Sequence, residues 1–234
     1  MADRQLRKIR SFVRRPGRIT AAQRKALIEL MPRFGIEFQN EPLDLETVFG
    51  RSGPRLLDIG FGAGEALLTS AANNPQVDYL GVEVYEPGIG RLLLLLERAG
   101  LSNVRIIKRD VVEVLGSMLA DASLDGVNLF FPDPWPKKRH HKRRLVQPPV
   151  AREFGRVIKP GGLLHFATDW EDYAQHARDV IGADGAFTAV PPEKLEPDPV
   201  KLRPPTKFER RGRRLGHSTW DLLYLRRETA AIDD

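Results

Sequence analysis

At 234 residues, with 41% hydrophobic and 29% charged side chains, the chain can bury a sizeable core and is not disordered throughout. It contains no cysteine, which excludes disulfides, zinc–thiolate sites and cysteine nucleophiles together, and fits a reducing compartment. The net charge of +6 hides a polarised distribution: residues 1–25 carry nine Lys and Arg against one acid, Asp3, and residues 137–144 carry six and no acid. The remaining chain is net acidic, so a basic face on an acidic body points to a polyanionic partner. The basic N-terminus lacks the apolar core of a secretory signal, and the longest apolar run, residues 92–96, is too short to span a membrane. A cytoplasmic protein without membrane attachment is expected.

Residues 1–50 read as a basic, helical or irregular N-terminal extension, and residues 51–234 as one domain. From residue 55 onward, strand-like and helix-like segments alternate. A strand over 55–59 precedes a helix over 64–72, and a strand over 79–83 precedes a helix over 88–99 that stops at Gly100. A strand over 103–109, a helix over 111–119 and a strand over 124–131 follow. After a basic loop come a helix over 149–157, a strand over 163–168, a helix over 171–181 and a weaker strand over 186–190. Residues 191–205, six of them proline, form a long surface loop of the kind that is often functional. The alternation over 220–226 suits a final antiparallel strand. Strands apolar on both faces belong to a parallel sheet covered by helices, so the expected fold is α/β: a Rossmann-like, doubly wound, mostly parallel sheet.

The first strand runs into Asp58-Ile59-Gly60-Phe61-Gly62-Ala63-Gly64-Glu65. Glycines at the first βα turn let the backbone turn tightly and approach a ligand. The spacing is G-x-G-x-G, and the acids Asp58 and Glu65 flanking it would repel a pyrophosphate but suit a cationic amino-acid moiety. S-adenosylmethionine carries an ammonium and a sulfonium and no phosphate. Glu83, ending the second strand, stands where an acid accepts hydrogen bonds from ribose hydroxyls. Asp110, ending the third, either takes the adenine amine or caps the helix that follows.

The fourth strand leads into Phe130-Phe131-Pro132-Asp133-Pro134-Trp135-Pro136-Lys137, where ligands of open α/β sheets bind. The prolines stiffen the backbone around Asp133, and Trp135 offers a flat surface for a base. The run Lys137-Lys138-Arg139-His140-His141-Lys142-Arg143-Arg144 supplies phosphate contacts. Adjacent histidines rarely aim at one ion, and no carboxylate cluster adjoins them, so no metal site is expected.

These motifs, in this order, resemble the bacterial tRNA (guanine-N7)-methyltransferase family. The resemblance extends through Gly17-Arg18, Gly81-Val82-Glu83-Val84, Ala167-Thr168-Asp169-Trp170, Thr206-Lys207-Phe208-Glu209, Arg211-Gly212 and Gly216-His217. It implies a class I methyltransferase with a seven-stranded sheet that transfers a methyl group from S-adenosylmethionine to N7 of a variable-loop guanosine in tRNA. It implies cofactor contacts from Asp58, Gly60, Gly62, Glu83, Asp110 and Asp133, with Asp133 also the active-site acid. It further implies substrate contacts from Lys137, Asp169, Thr206, Lys207, Phe208 and Glu209. RNA contacts are implied from Arg139, His140, His141, Lys142, Arg143 and Arg144, in a monomer or homodimer. Asp58 stands where the family often has Glu. Three alternatives remain open: methylation of another RNA base, a nicotinamide-dependent dehydrogenase on the same sheet, and a non-catalytic RNA-binding module.

Overall fold

The computed structural model describes residues 17–191, 194, 203–204, 206, 209 and 218–228. Its strands are β1 (Arg55–Ile59), β2 (Asp78–Val82), β3 (Val104–Ile107), β4 (Leu124–Phe130), β5 (Ile158–Thr168), β6 (Phe187–Val190) and β7 (Trp220–Arg226). They form one sheet in the order β3-β2-β1-β4-β5-β7-β6. β7 is antiparallel to both neighbours, and the other pairings are parallel. This is the Rossmann-like sheet with a final antiparallel strand expected from the sequence.

Period-two alternation divides β1 between two cores. Leu57 and Ile59 pack with Leu80, Val127 and Phe166 beneath α6 (Val111–Met118), α7 (Pro148–Val157) and α8 (Glu171–Asp184). Leu56 packs with Tyr79 and Val104 beneath α4 (Glu65–Asn73) and α5 (Glu86–Ala99). The helix boundaries follow local chemistry. α5 opens with a proline in its first turn and closes on Gly100 in the left-handed region, at φ 66°. Asp110 caps α6 by accepting from the backbone N–H of Val112 at 3.1 Å.

The described part of the N-terminal segment forms α1 (Ala21–Glu29), α2 (Met31–Phe34) and α3 (Leu45–Phe49). Thr20 and Gln23 form a capping box at the start of α1. Ala26 and Phe34 join Leu92 and Leu93 of α5 in one core, and Leu45 enters the other. The backbone N–H of Ile36 donates to the carbonyl of Ile106 at 2.9 Å, extending the β3 edge.

Most element ends shift slightly from the sequence reading, and two features differ more. β5 begins at Ile158 rather than 163, because Ile158 pairs with Leu124 and an irregularity before Gly126 absorbs the Pro160-Gly161-Gly162 turn signal. The basic loop winds into a short 3-10 turn, Lys138–Arg143. Among the described residues, no helix is long and apolar enough to cross a membrane.

Candidate active site

The strand order reverses direction at β1, with β2 on one side and β4 on the other, and the carboxyl ends of these strands frame a crevice. Gly60 and Gly62 line it with φ values of 69° and 56°, which favour glycine. A Cβ built on either would meet nothing within 4 Å beyond its chain neighbours, so the absent side chains leave open space above the loop.

Glu83 follows β2 and is buried. One carboxylate oxygen accepts from the backbone N–H of Gly62 at 2.9 Å, and the other from Val84 at 2.6 Å and Tyr85 at 3.0 Å. Glu83 therefore ties the glycine loop to the β2–α5 connection. Burial pushes its carboxyl up, these hydrogen bonds oppose the rise, and the charge of Asp133 adds to it. Asp133 follows β4 and Glu83 follows β2, the two strands that flank β1. Asp58 is buried one strand away, where burial and the Glu83 charge push its carboxyl up to about 7. A pair of acids held against burial and mutual repulsion favours a cation.

Other acids have work within the fold. Asp110 caps α6, the alternative its position left open. Glu65 pairs with Arg91 of α5 at 2.5 Å rather than standing over the glycine loop alone. Asp169 is half-buried just beyond β5.

The connection after β4 is held in an uncommon backbone conformation. Phe131 and Trp135 have φ values of 52° and 46°, and Asp133 lies exposed between them. The backbone N–H of Phe131 donates to the Ala167 carbonyl at 2.7 Å, anchoring the loop to β5. Trp135 meets His140 edge-on at 5.8 Å, and the Arg143 guanidinium lies 5.0 Å from its ring centroid. Trp135 therefore meets the 3-10 turn with its ring.

The basic segment divides. Lys137, Lys138, Arg139 and Lys142 are exposed, and His140, His141 and Arg143 are half-buried. Arg144, which the family resemblance grouped with the RNA-contacting residues, points inward with its side chain 1% exposed. Its guanidinium is taken up by Pro134 and Asp172, which removes it from the solvent face.

Just beyond the proline-rich segment, the Thr206 hydroxyl accepts from the Glu209 backbone N–H at 3.1 Å, and Glu209 is buried. Lys207 and Phe208 lie outside the described residues. Sequence reasoning did not single out Arg203, which donates to Glu209 and to Asp221 of β7, nor His165 of β5, which also meets Asp221. The two contacts to Asp221 span 18 and 56 residues of chain, and no local spacing signals them.

Residues 52–222 match a family described as "Putative methyltransferase". A tRNA (guanine-N(7)-)-methyltransferase of Alkalilimnicola ehrlichii is 54% identical over 225 residues, covering 95% of this chain and 94% of that protein. The enzyme of that name from Burkholderia cenocepacia is 53% identical over 222 residues, covering 94% and 86%. The chain belongs to the tRNA (guanine-N7)-methyltransferase family. Its reaction is transfer of a methyl group from S-adenosylmethionine to N7 of guanosine in tRNA. The fold agrees with a solved 16S rRNA (adenine(1408)-N(1))-methyltransferase from Catenulisporales acidiphilia, at TM-score 0.54 and 15% identity, covering 82% of this chain and 94% of that one.

The crevice fits the family's cofactor. The open space over Gly60 and Gly62 admits a ligand backbone, and the buried carboxyls of Asp58 and Glu83 suit a ligand bearing an ammonium and a sulfonium. The exposed Lys137, Lys138, Arg139 and Lys142 form a basic surface beside the Asp133 loop.

Proposed function

We propose that S-adenosylmethionine lies over the glycine loop and that Asp133 orients the target guanine, in the variable loop of tRNA, for in-line attack. When bound, the cofactor supplies an electrophilic methyl group on its sulfonium. Guanine N7 carries a free lone pair, so attack needs no prior deprotonation, and positioning is the main task. Asp58 and Glu83 meet the cationic and ribose parts of the cofactor, Gly60 and Gly62 give it room, and Asp110 meets its base with the carboxylate oxygen left over from capping. Asp133 accepts hydrogen bonds from the guanine N1–H and amino edge and offsets the positive charge that develops on the ring.

Asp169 shares that task from the end of β5. Lys137, Thr206, Lys207, Phe208 and Glu209 complete the substrate side. Lys138, Arg139, His140, His141, Lys142 and Arg143 contact the RNA backbone. The enzyme acts in the cytoplasm as a monomer or homodimer. The observation that carries this reading is the place of Asp133, on the loop that leaves the carboxyl end of β4 next to β1 and its glycine turn.

The test incubates unmodified tRNA with enzyme and labelled cofactor, then applies reduction and aniline treatment, which cleaves at 7-methylguanosine. Labelled tRNA cut at one variable-loop position is expected, and Asp133→Ala should abolish turnover with tRNA affinity retained. Labelled tRNA that resists cleavage, or Asp133→Ala with wild-type turnover, overturns the reading.

A further inference from the structure

Arg144 lies in the most basic stretch of the described chain, yet its side chain is only 1% exposed. Each of its three guanidinium nitrogens has a partner. Nε donates to the carbonyl of Pro134 at 3.0 Å, and Nη1 to the carbonyl of Asp172 at 3.3 Å. Nη2 donates to the Asp172 carboxylate and lies 3.2 Å from Nε2 of His141. The guanidinium also stacks 4.9 Å from the ring centroid of Tyr173, and the Tyr173 hydroxyl accepts from the Val146 backbone N–H at 3.2 Å. The hydrogen bond from Arg144 holds the Asp172 carboxyl below its usual range, outweighing the opposing effect of burial.

These contacts bracket the Asp133 loop. Phe131 and Trp135 sit at positive φ, a strained conformation that persists only where the surrounding structure imposes it. On one side of Asp133, the Phe131 N–H is bonded to Ala167 on β5. On the other, the Pro134 carbonyl is bonded to Arg144, and through it to the first turn of α8. The planar fork that reaches a carbonyl and a carboxylate at once is a property of arginine; lysine carries the charge without the geometry.

We propose that Arg144 is a positioning residue for the methyl transfer rather than an RNA contact: by tying the Pro134 carbonyl to Asp172, it sets the aim of Asp133. This rests on the role of Asp133 given above. Arg144 acts through that residue and touches no substrate.

The experiment measures kcat at saturating tRNA and the salt dependence of tRNA binding for wild type, Arg144→Lys, Arg144→Gln, Asp172→Asn, Lys138→Ala and Asp133→Asn. S-adenosylmethionine binding and the thermal midpoint report fold integrity. Both Arg144 variants should lose roughly 10- to 100-fold in kcat, as expected of a misplaced reacting group. Their slopes of log K against log salt should match wild type. Asp172→Asn should lower kcat in the same direction, and combining it with Arg144→Lys should add little. Lys138→Ala should instead weaken binding and reduce the slope by about 0.7–0.9.

A normal kcat in both Arg144 variants overturns the proposal. So does Arg144→Gln with a reduced salt slope and an intact kcat, which would make Arg144 a phosphate contact. If Arg144→Gln does not fold, Arg144→Lys and Asp172→Asn read the same tether with less disruption. Wild-type turnover in Asp133→Asn sinks the underlying reading. A loss there beside intact Arg144 variants sinks only this inference.

Discussion

Arg203 donates from Nε and Nη2 to the two carboxylate oxygens of Asp221, at 2.6 and 2.7 Å, so a residue of the proline-rich segment is fixed bidentately to the last strand. Its remaining nitrogen donates to Glu209, and Nε2 of His165 lies 2.8 Å from Asp221. The same guanidinium sits 5.6 and 5.4 Å from the ring centroids of Phe130 and Phe131. One arginine therefore joins the ends of β4 and β7 to the segment carrying Thr206 and Glu209.

Removing this arginine should hurt both stability and substrate use. Its side chain is 8% exposed, and Arg203→Met leaves the buried Glu209 without that cation. Breaking a buried pair costs on the order of 3–5 kcal/mol. Urea denaturation should report a loss of that size, and kcat/KM for tRNA should fall further than cofactor affinity. Burial acts to raise the Asp221 carboxyl, but hydrogen bonds from His165 and Arg203 outweigh it and hold it well below the usual range. A depressed carboxyl stabilises the fold above its unfolded value near 3.8 and loses that contribution only as pH falls through the lower folded value. The Arg203–Asp221 pair should therefore survive mild acid down to about pH 5. Arg203→Met should destabilise most near about pH 7 and less near about pH 5, where His165, freed of the Arg203 charge, protonates beside Asp221.

Asp58 should make the apo protein less stable as pH rises. Its folded carboxyl holds a proton up to about 7, whereas the unfolded chain releases it near 3.8. Between those values the folded state binds more protons, so stability falls with rising pH and levels off above about 7. Asp58→Asn should flatten this dependence in urea melts. A cationic cofactor favours the ionised carboxylate, so S-adenosylmethionine affinity should drop by up to about tenfold per pH unit well below the folded value. Calorimetry well below that value should show close to one proton released on binding, and the same affinity profile in Asp58→Asn would refute the assignment.

The N-terminal helices should prove integral to the core. Phe34 is fully buried among α5 side chains, and Phe34→Ala should cost about 3–5 kcal/mol. Thr20→Ala, which removes only the capping box of α1, should cost about 1 kcal/mol. Thermal melts distinguish the two: a Phe34→Ala midpoint close to wild type would mean that residues 17–50 pack as a dispensable arm.

Much of the architecture was legible because local pattern carries it. β1 and β7 fall where their apolar runs place them, at Arg55–Ile59 and Trp220–Arg226. The glycine loop, Glu83 and the Asp133 loop are legible from their positions at strand ends, since an α/β fold collects strand ends on one side. Asp110 was ambiguous on sequence because one carboxylate can cap a helix and still present its second oxygen. The long β5 was not legible, because Pro160-Gly161-Gly162 reads as a turn and only pairing with β4 carries the strand past it.

The sequence by itself determined the alternation of strands and helices, the acids at strand ends, the basic segment and, through its ordered motifs, the family. Periodicity and turn chemistry act over a few residues, so the chain alone encodes them. Tertiary structure alone decided what the charges do. It buried Arg144 against Pro134 and Asp172, joined Arg203 to Asp221 and His165, and turned Glu65 toward Arg91. A charged side chain looks the same in a list whether it faces water or a carboxylate from a distant strand. Its partner is set by sheet order and helix packing, and those are settled only when the whole chain closes on its core.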